Sequence, residues 1–314
     1  MGDNIFQFAI GTGLLYFGAE FFITGSKSIA EKFNISPIVL GITLVAFGTS
    51  LPELIVSITA ILRSDPGIVV GNVIGSNITN IGLVLGTTSI IIPIYFTYKS
   101  IKYDLSFLMF TTILPLVFLF FGGLVLWQGL IFLLLLLGYC LLLYQKDNIT
   151  DNEQDLALNN GMLFISLKII LGIAGLGLGA QIFVMGAKGI AIILGVPSII
   201  IGMSIVALGT SLPELATSLT AARHNQIGFV IGNIIGSNIM NIVVVLGFTL
   251  LISPINIEFN QMATQGTFMM ILTIILFVLM KFRGGISKTS AGVLLLIYML
   301  FLYINFQFDL EGWM

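Results

Sequence analysis

Two carboxylates stand where the surrounding sequence makes charge costly. Glu53 lies in Gly48-Thr49-Ser50-Leu51-Pro52-Glu53-Leu54, and Glu214 lies in an identical heptapeptide, Gly209 to Leu215. Both heptapeptides sit inside long apolar stretches. An ionisable side chain at membrane depth is expensive, and it persists where it has a partner, a cavity or a function. Pro52 and Pro213 each remove one helix hydrogen bond and free the carbonyl four residues back, that of Gly48 or Gly209. Read as a helix, Thr49, Glu53 and Ser57 fall at i, i+4 and i+8 on one stripe, with Ser50 one turn before Glu53. The second copy supplies Thr210, Ser211, Glu214 and Ser218. Carboxylate, hydroxyl and carbonyl oxygens are hard ligands. They suit Ca²⁺ or Na⁺ and suit Zn²⁺ or Cu⁺ poorly.

A second duplicated segment adds more polar groups. Asn72, Ser76 and Asn80 share one helical face, and Asn233, Ser237 and Asn241 repeat it. Gly71-x-x-x-Gly75 and Gly232-x-x-x-Gly236 run beside these faces and let another backbone come close. Four polar stripes, two from each half, can converge at one centre. Glu53 and Glu214 carry −2 there when both are ionised. One Ca²⁺ neutralises that charge, as do two Na⁺ or two protons, so competing loads suit an exchanger. A third Na⁺ on neutral oxygens would leave +1 and make transport electrogenic.

The elements that position these residues follow from composition. The chain has 314 residues, 57% of them hydrophobic and 8% charged, against about 25% charged in soluble domains. This is the composition of an integral membrane protein. Continuous apolar runs indicate helices, since barrel strands alternate. The net charge of −2 and the scattered basic residues exclude a nucleic-acid partner. Cys140 is the only cysteine, so no intrachain disulfide forms. Asp3 stands where a cleavable leader would carry basic residues, so the first apolar run is expected to remain as a span.

Ten spans are expected, each long enough for a core of about 30 Å. They are Ile5–Thr24, Pro37–Leu62, Ile68–Ile92, Leu105–Phe121 and Leu124–Tyr144, then Met162–Val184, Pro197–Ala222, Phe229–Ile252, Met262–Leu279 and Ala291–Ile304. The fold class is therefore all-α. Residues 1–144 form one five-helix repeat, 145–160 an acidic linker, and 161–314 a second repeat. Glu214 follows Glu53 by 161 residues, and this offset holds without a gap from Gly18/Gly179 to Ile94/Ile255. About half of these aligned residues are identical, more than shared apolarity gives. Five helices is an odd number, so the second repeat enters from the opposite side. Inverted repeats with broken helices at the midplane are typical of secondary transporters. Of the twelve basic residues, Arg63 and Lys188 fall on the side of the termini and ten on the other. Positive residues favour the cytoplasm, so both termini are expected outside and the linker inside.

Plainer roles exist for single features. A lone proline kinks, GxxxG packs, and an intramembrane glutamate can be a structural pair. The duplication of all of them together favours a site. Glu20 either lines an ion access path or sits at the interface, and its counterpart Gln181 is uncharged. His224 is expected to be a solvated loop residue and Cys140 to lie in the core. An intramembrane hydrolase with the two glutamates as acid and base would need a nucleophile or metal-ligand set, and no His, Cys or Asp lies at membrane depth beside them. A channel would not require inverted pseudo-symmetry.

At GTSLPEL followed by GN-x-IGSN in duplicate, Gly41–Gly86 and Gly202–Gly247, the sequence resembles the sodium/calcium exchanger branch of the calcium/cation antiporters. The resemblance implies Na⁺/Ca²⁺ antiport by alternating access, with no cofactor, no catalytic residue and no obligatory protein partner. It implies four central cation sites. Ca²⁺ would be held by Glu53, Glu214 and the carbonyls of Thr49 and Thr210. Na⁺ would be held by the glutamates with Ser50, Ser76, Ser211, Ser237 and the carbonyls of Ala46 and Ala207. Asn80 and Asn241 complete the set. It implies too that the first and sixth helices slide against the other eight. Some relatives carry Asp at the position of Asn241, so this chain lacks that third carboxylate. The other reading of the same glutamates is a Ca²⁺/H⁺ exchanger.

Overall fold

The computed structural model describes residues 1–147, 161–194, 209–257 and 259–311. Its helices are α1 (Gly2–Phe33), α2 (Pro37–Thr49), α3 (Leu51–Leu62), α4 (Pro66–Ile91), α5 (Tyr98–Phe120) and α6 (Leu126–Asp147), then α7 (Met162–Ile193), α8 (Leu212–Arg223), α9 (Ile227–Ile252), α10 (Phe259–Arg283) and α11 (Lys288–Glu311). Eight of these are long and apolar enough to cross a membrane, or nine when α2 and α3, bent by 44° at Ser50, count as one broken span. The expected tenth, Pro197–Ala222, falls partly outside the described residues, and so do most of the linker and Ala207.

The expected second span, Pro37–Leu62, is a broken helix, as anticipated for the midplane, and the break falls just before Pro52. The helix stops at Ser50 (φ −84°, ψ 5°) and restarts at Leu51, which puts Pro52 in the first turn, where its missing N–H is no loss. The outer helices are also longer than expected. The helices α1 and α7 run 32 residues each, about 48 Å at 1.5 Å per residue, so they tilt or project beyond a core of about 30 Å.

Element bounds recur at the 161-residue offset. The α3 bounds map onto those of α8, and α4 onto α9. Both α4 and α9 contain a six-residue π-helical segment, Asn80–Leu85 and Asn241–Leu246. A two-stranded ribbon, β1 (Ile94–Tyr95) with β2 (Gly285–Ile286), pairs Ile94 with Ile286. Its counterpart is an antiparallel bridge from Leu124 to Ile255, and Ile255 is the equivalent of Ile94. Each half thus strands its own end onto the other.

The first helices of the halves pack along each other in opposite directions. Gly11 meets Phe183, Gly18 meets Leu176, and Gly172 meets Phe22. The contact is backbone against backbone: a methyl group on Gly172 would lie 2.6 Å from the Phe22 nitrogen. Glycines spaced by seven, 11, 18, 25 and 172, 179, 186, make this approach possible.

Burial divides the molecule into a centre and a rim. In α9, 89% of the membrane-length window is buried, against 22% in α7. The central layer is α2, α3, α4, α8 and α9. Within it α9 lies on α2, with Gly232 and Gly236 set against Ile38, Gly41 and Ile42. The exposed faces of α1, α5, α6, α7, α10 and α11 carry Phe, Leu, Ile and Tyr, as lipid-facing surfaces do.

Candidate ion-binding site

The glutamate turns are built the same way in both halves. Ser50 and Ser211 hold nearly the same backbone angles (φ −84°, ψ 5° and φ −89°, ψ 5°), and a proline begins the helix that follows. The bonds that span the first break run from Ser50 N–H to Ala46 O and from Leu54 N–H to Ser50 O. The carbonyls of Gly48 and Thr49 lie between them and accept no backbone bond across the break among the described residues. A helix end of this kind presents carbonyl oxygen to a cation. The Ala46 carbonyl is less free, because it already accepts from Ser50 N–H at 3.0 Å.

Glu53 and Glu214 begin α3 and α8 and are both completely buried. Each of these helices packs on the π-helical segment of the other half, α3 on Asn241–Leu246 and α8 on Asn80–Leu85. Ser50 Oγ donates across the halves to Glu214 Oε1 at 3.5 Å. The hydroxyls of Thr49 and Ser50 approach the Glu214 carboxylate, and those of Ser76 and Thr210 approach Glu53. Even so, both Glu53 oxygens and Glu214 Oε2 have no hydrogen-bond partner, and neither have Ser211 Oγ or the amide atoms of Asn80 and Asn241. Buried polar atoms are ordinarily satisfied, and a bare buried carboxylate is far costlier than a neutral group. Three unpaired carboxylate oxygens among neutral oxygens call for cations.

Eleven of the twelve expected ligand residues are described: Ala46 and Thr49 end α2, Ser50, Thr210 and Ser211 stand at the breaks before α3 and α8, Glu53 and Glu214 lie in the first turns of those helices, and Ser76, Asn80, Ser237 and Asn241 lie on α4 and α9. Ser57 and Ser218 are buried one turn behind the glutamates. The sequence reading missed Asn72 and Asn233 as supports: Asn72 Nδ2 donates to Glu53 O at 3.0 Å and to Ser57 Oγ at 2.9 Å. Their place on the polar faces with Ser76 and Ser237 was the available signal. It also missed that His224 meets Glu20, with Nε2 at 2.9 and 3.0 Å from the two carboxylate oxygens. His224 is not simply solvated; it ties the end of α8 to α1.

Known proteins share this architecture. A sequence profile described as sodium/calcium exchanger protein matches residues 4–145 and again 165–307. The chain belongs to the sodium/calcium exchanger family. Sodium/calcium exchanger MaX1 of Methanosarcina acetivorans is 30% identical over 347 aligned positions, covering 96% of this chain and 98% of that one. Inner membrane protein YrbG of Escherichia coli is 30% identical, covering 91% of each. The solved sodium-calcium exchanger NCX_Mj superposes with a TM-score of 0.81 at 36% identity, covering 95% of this chain and 97% of that one. As a member of this exchanger family, the chain is a multi-pass membrane antiporter of cations and Ca²⁺, a transporter whose ions are substrates.

Proposed function

We propose that the chain exchanges Na⁺ for Ca²⁺ across the cell membrane by alternating access. The observation that carries this reading is the pair of fully buried glutamates, one from each half, with three unpaired oxygens between them. Ca²⁺ takes six to eight oxygens, and Glu53, Glu214 and the carbonyls of Thr49 and Thr210 begin such a shell. Ser50, Ser76, Ser211 and Ser237, with the carbonyls of Ala46 and Ala207, offer Na⁺ the remaining places. Asn80 and Asn241 add neutral amide oxygens, so the whole negative charge of the site rests on two carboxylates. Either one Ca²⁺ or two Na⁺ cancels it, and an empty site resists crossing the low-dielectric centre. That coupling makes exchange obligatory.

The architecture that serves this is ten helices in two inverted repeats, residues 1–144 and 161–314, with both termini outside and residues 145–160 in the cytoplasm. The antiparallel packing of α1 on α7, the 161-residue recurrence of element bounds and the excess of basic residues on one side support it. Reconstitution tests the coupling ion. Vesicles loaded with Na⁺ are expected to accumulate ⁴⁵Ca²⁺, while vesicles with only an outward proton gradient are not. Uptake on protons alone would replace Na⁺ with H⁺ as the coupling ion.

A further inference from the structure

Two asparagines outside the proposed ligand set hold the glutamate turns from behind. Asn72 Nδ2 bonds the Glu53 carbonyl and the Ser57 hydroxyl. Asn233 Nδ2 faces Thr217 Oγ1 at 3.1 Å, Ser218 Oγ at 3.1 Å and the Glu214 carbonyl at 3.4 Å. A backbone carbonyl only accepts, so it fixes which end of each amide carries the nitrogen. To this point the two copies agree in the carbonyl and the serine, and Thr217 adds a partner where the first copy has Val56.

They part at the amide oxygens. Asn233 Oδ1 accepts from Ser237 Oγ at 3.3 Å and lies 3.1 Å from Thr49 Oγ1, which belongs to the other half. Thr49 Oγ1 is also 3.2 Å from Ser237 Oγ and 3.1 Å from Val45 O. Its single proton is therefore shared between its own helix and the partner half. Thr49 is completely buried there. The equivalent bond, from Thr210 to Asn72, is not made among the described residues, and both of those side chains are only half-buried.

The residues of the two clusters are the same at five positions, Thr49 and Thr210, Glu53 and Glu214, Ser57 and Ser218, Asn72 and Asn233, Ser76 and Ser237, and differ at one, Val56 and Thr217. Identical residues on pseudo-symmetric backbones have the exchanged arrangement open to them at similar free energy. A contact made in one copy and missing from the other thus marks one of two alternating conformers. We infer that Asn233 and Asn72 are positioning residues that act in alternation. The Thr49–Asn233 bond closes in the state described, and the Thr210–Asn72 bond closes in the state facing the other side. Each amide ties the clamping of one glutamate turn to the release of the other. This rests on the exchange reading of the same site and adds how the site knows which way it faces. One hydrogen bond biases such an equilibrium by about five-fold, which tilts it without locking it.

The test is hydrogen exchange of the full chain in detergent without added Ca²⁺, following the pseudo-equivalent ends of α3 and α8, residues 55–65 and 216–226. Asn233→Ala is expected to change exchange several-fold in opposite directions at the two ends, and Asn72→Ala to give the mirror pattern. Asn233→Leu and Asn72→Leu, close in shape and without donor or acceptor, should repeat the opposed pattern if the alanine variants fold poorly. Faster exchange at both ends in either variant, or no change, overturns the inference, because a merely structural bond would loosen both sides alike. Vesicle flux of the unmodified protein is scored separately. An opposed pattern without Na⁺-driven Ca²⁺ uptake removes the exchange reading and leaves the alternating contacts standing.

Discussion

The two glutamate turns carry the same heptapeptide, yet their surroundings differ in kind. Behind Glu214, Thr217 donates to the carbonyls of Pro213 and Glu214 at 2.8 and 3.1 Å and accepts from Asn233. Behind Glu53 the equivalent residue is Val56, which is exposed and can do neither. Along α1, Glu20 reaches His224 at the end of α8, whereas Gln181 and Arg63 occupy the equivalent positions and offer no charge pair. The residues proposed to bind ions are duplicated, and those that support them have diverged. On the proposed reading, equal ligand sets let both halves contribute alike to the cation, and unequal supports let the two facing states differ in stability.

Removing charge probes the duplicated part and gives the largest effect. Glu53→Gln and Glu214→Gln are each expected to lower ⁴⁵Ca²⁺ uptake by about 100-fold or more, since one Ca²⁺ then meets a single carboxylate. A variant that keeps a tenth of the flux would show that the two glutamates are not equivalent. Next in size is the antiparallel seam. Gly11→Val and Gly172→Val each press a side chain into a backbone across the seam, at a cost of about 1–3 kcal/mol. Both should lower the melting temperature in detergent by similar amounts. A marked inequality would mean that the seam is less symmetric than its contacts.

Smaller effects come from the diverged supports. Thr217→Val makes the second turn like the first and removes one partner of Asn233, worth about 1 kcal/mol. The expected outcome is a change of a few-fold in apparent Ca²⁺ affinity measured by equilibrium ⁴⁵Ca²⁺ binding. Val56→Thr should shift it the opposite way. Smallest is Glu20→Gln, which imitates Gln181. The Glu20–His224 pair is partly exposed, 32% and 44%, and such pairs contribute about 0.2–1 kcal/mol, less in high salt. The expected outcome is a small fall in the melting temperature in detergent that shrinks further as salt is added. A fall that salt leaves unchanged would mean that the contact acts through packing.

Much of this was legible in the sequence because it rests on residue type and spacing. The 161-residue repeat, the buried glutamates and the polar stripes need no coordinates. Proline marked the break, and the backbone shows where it falls: the helix ends at Ser50, and Pro52 stands in the first turn of the next, where its missing N–H is harmless. The glycines at 11, 18 and 25 were readable as a seven-residue spacing, yet only the fold shows that they face a second glycine row. The cross-half contacts of Thr49 with Asn233 and of Glu20 with His224 join residues 184 and 204 apart. No local pattern predicts such pairs.

The π-helical segments at Asn80–Leu85 and Asn241–Leu246 have a consequence for packing. A π turn accommodates one residue more than the regular helix needs, and such bulges recur at functional sites. Both copies carry it at the same offset and open it with the same amide. Each widened turn is the surface on which the glutamate helix of the other half rests, α8 on the first and α3 on the second.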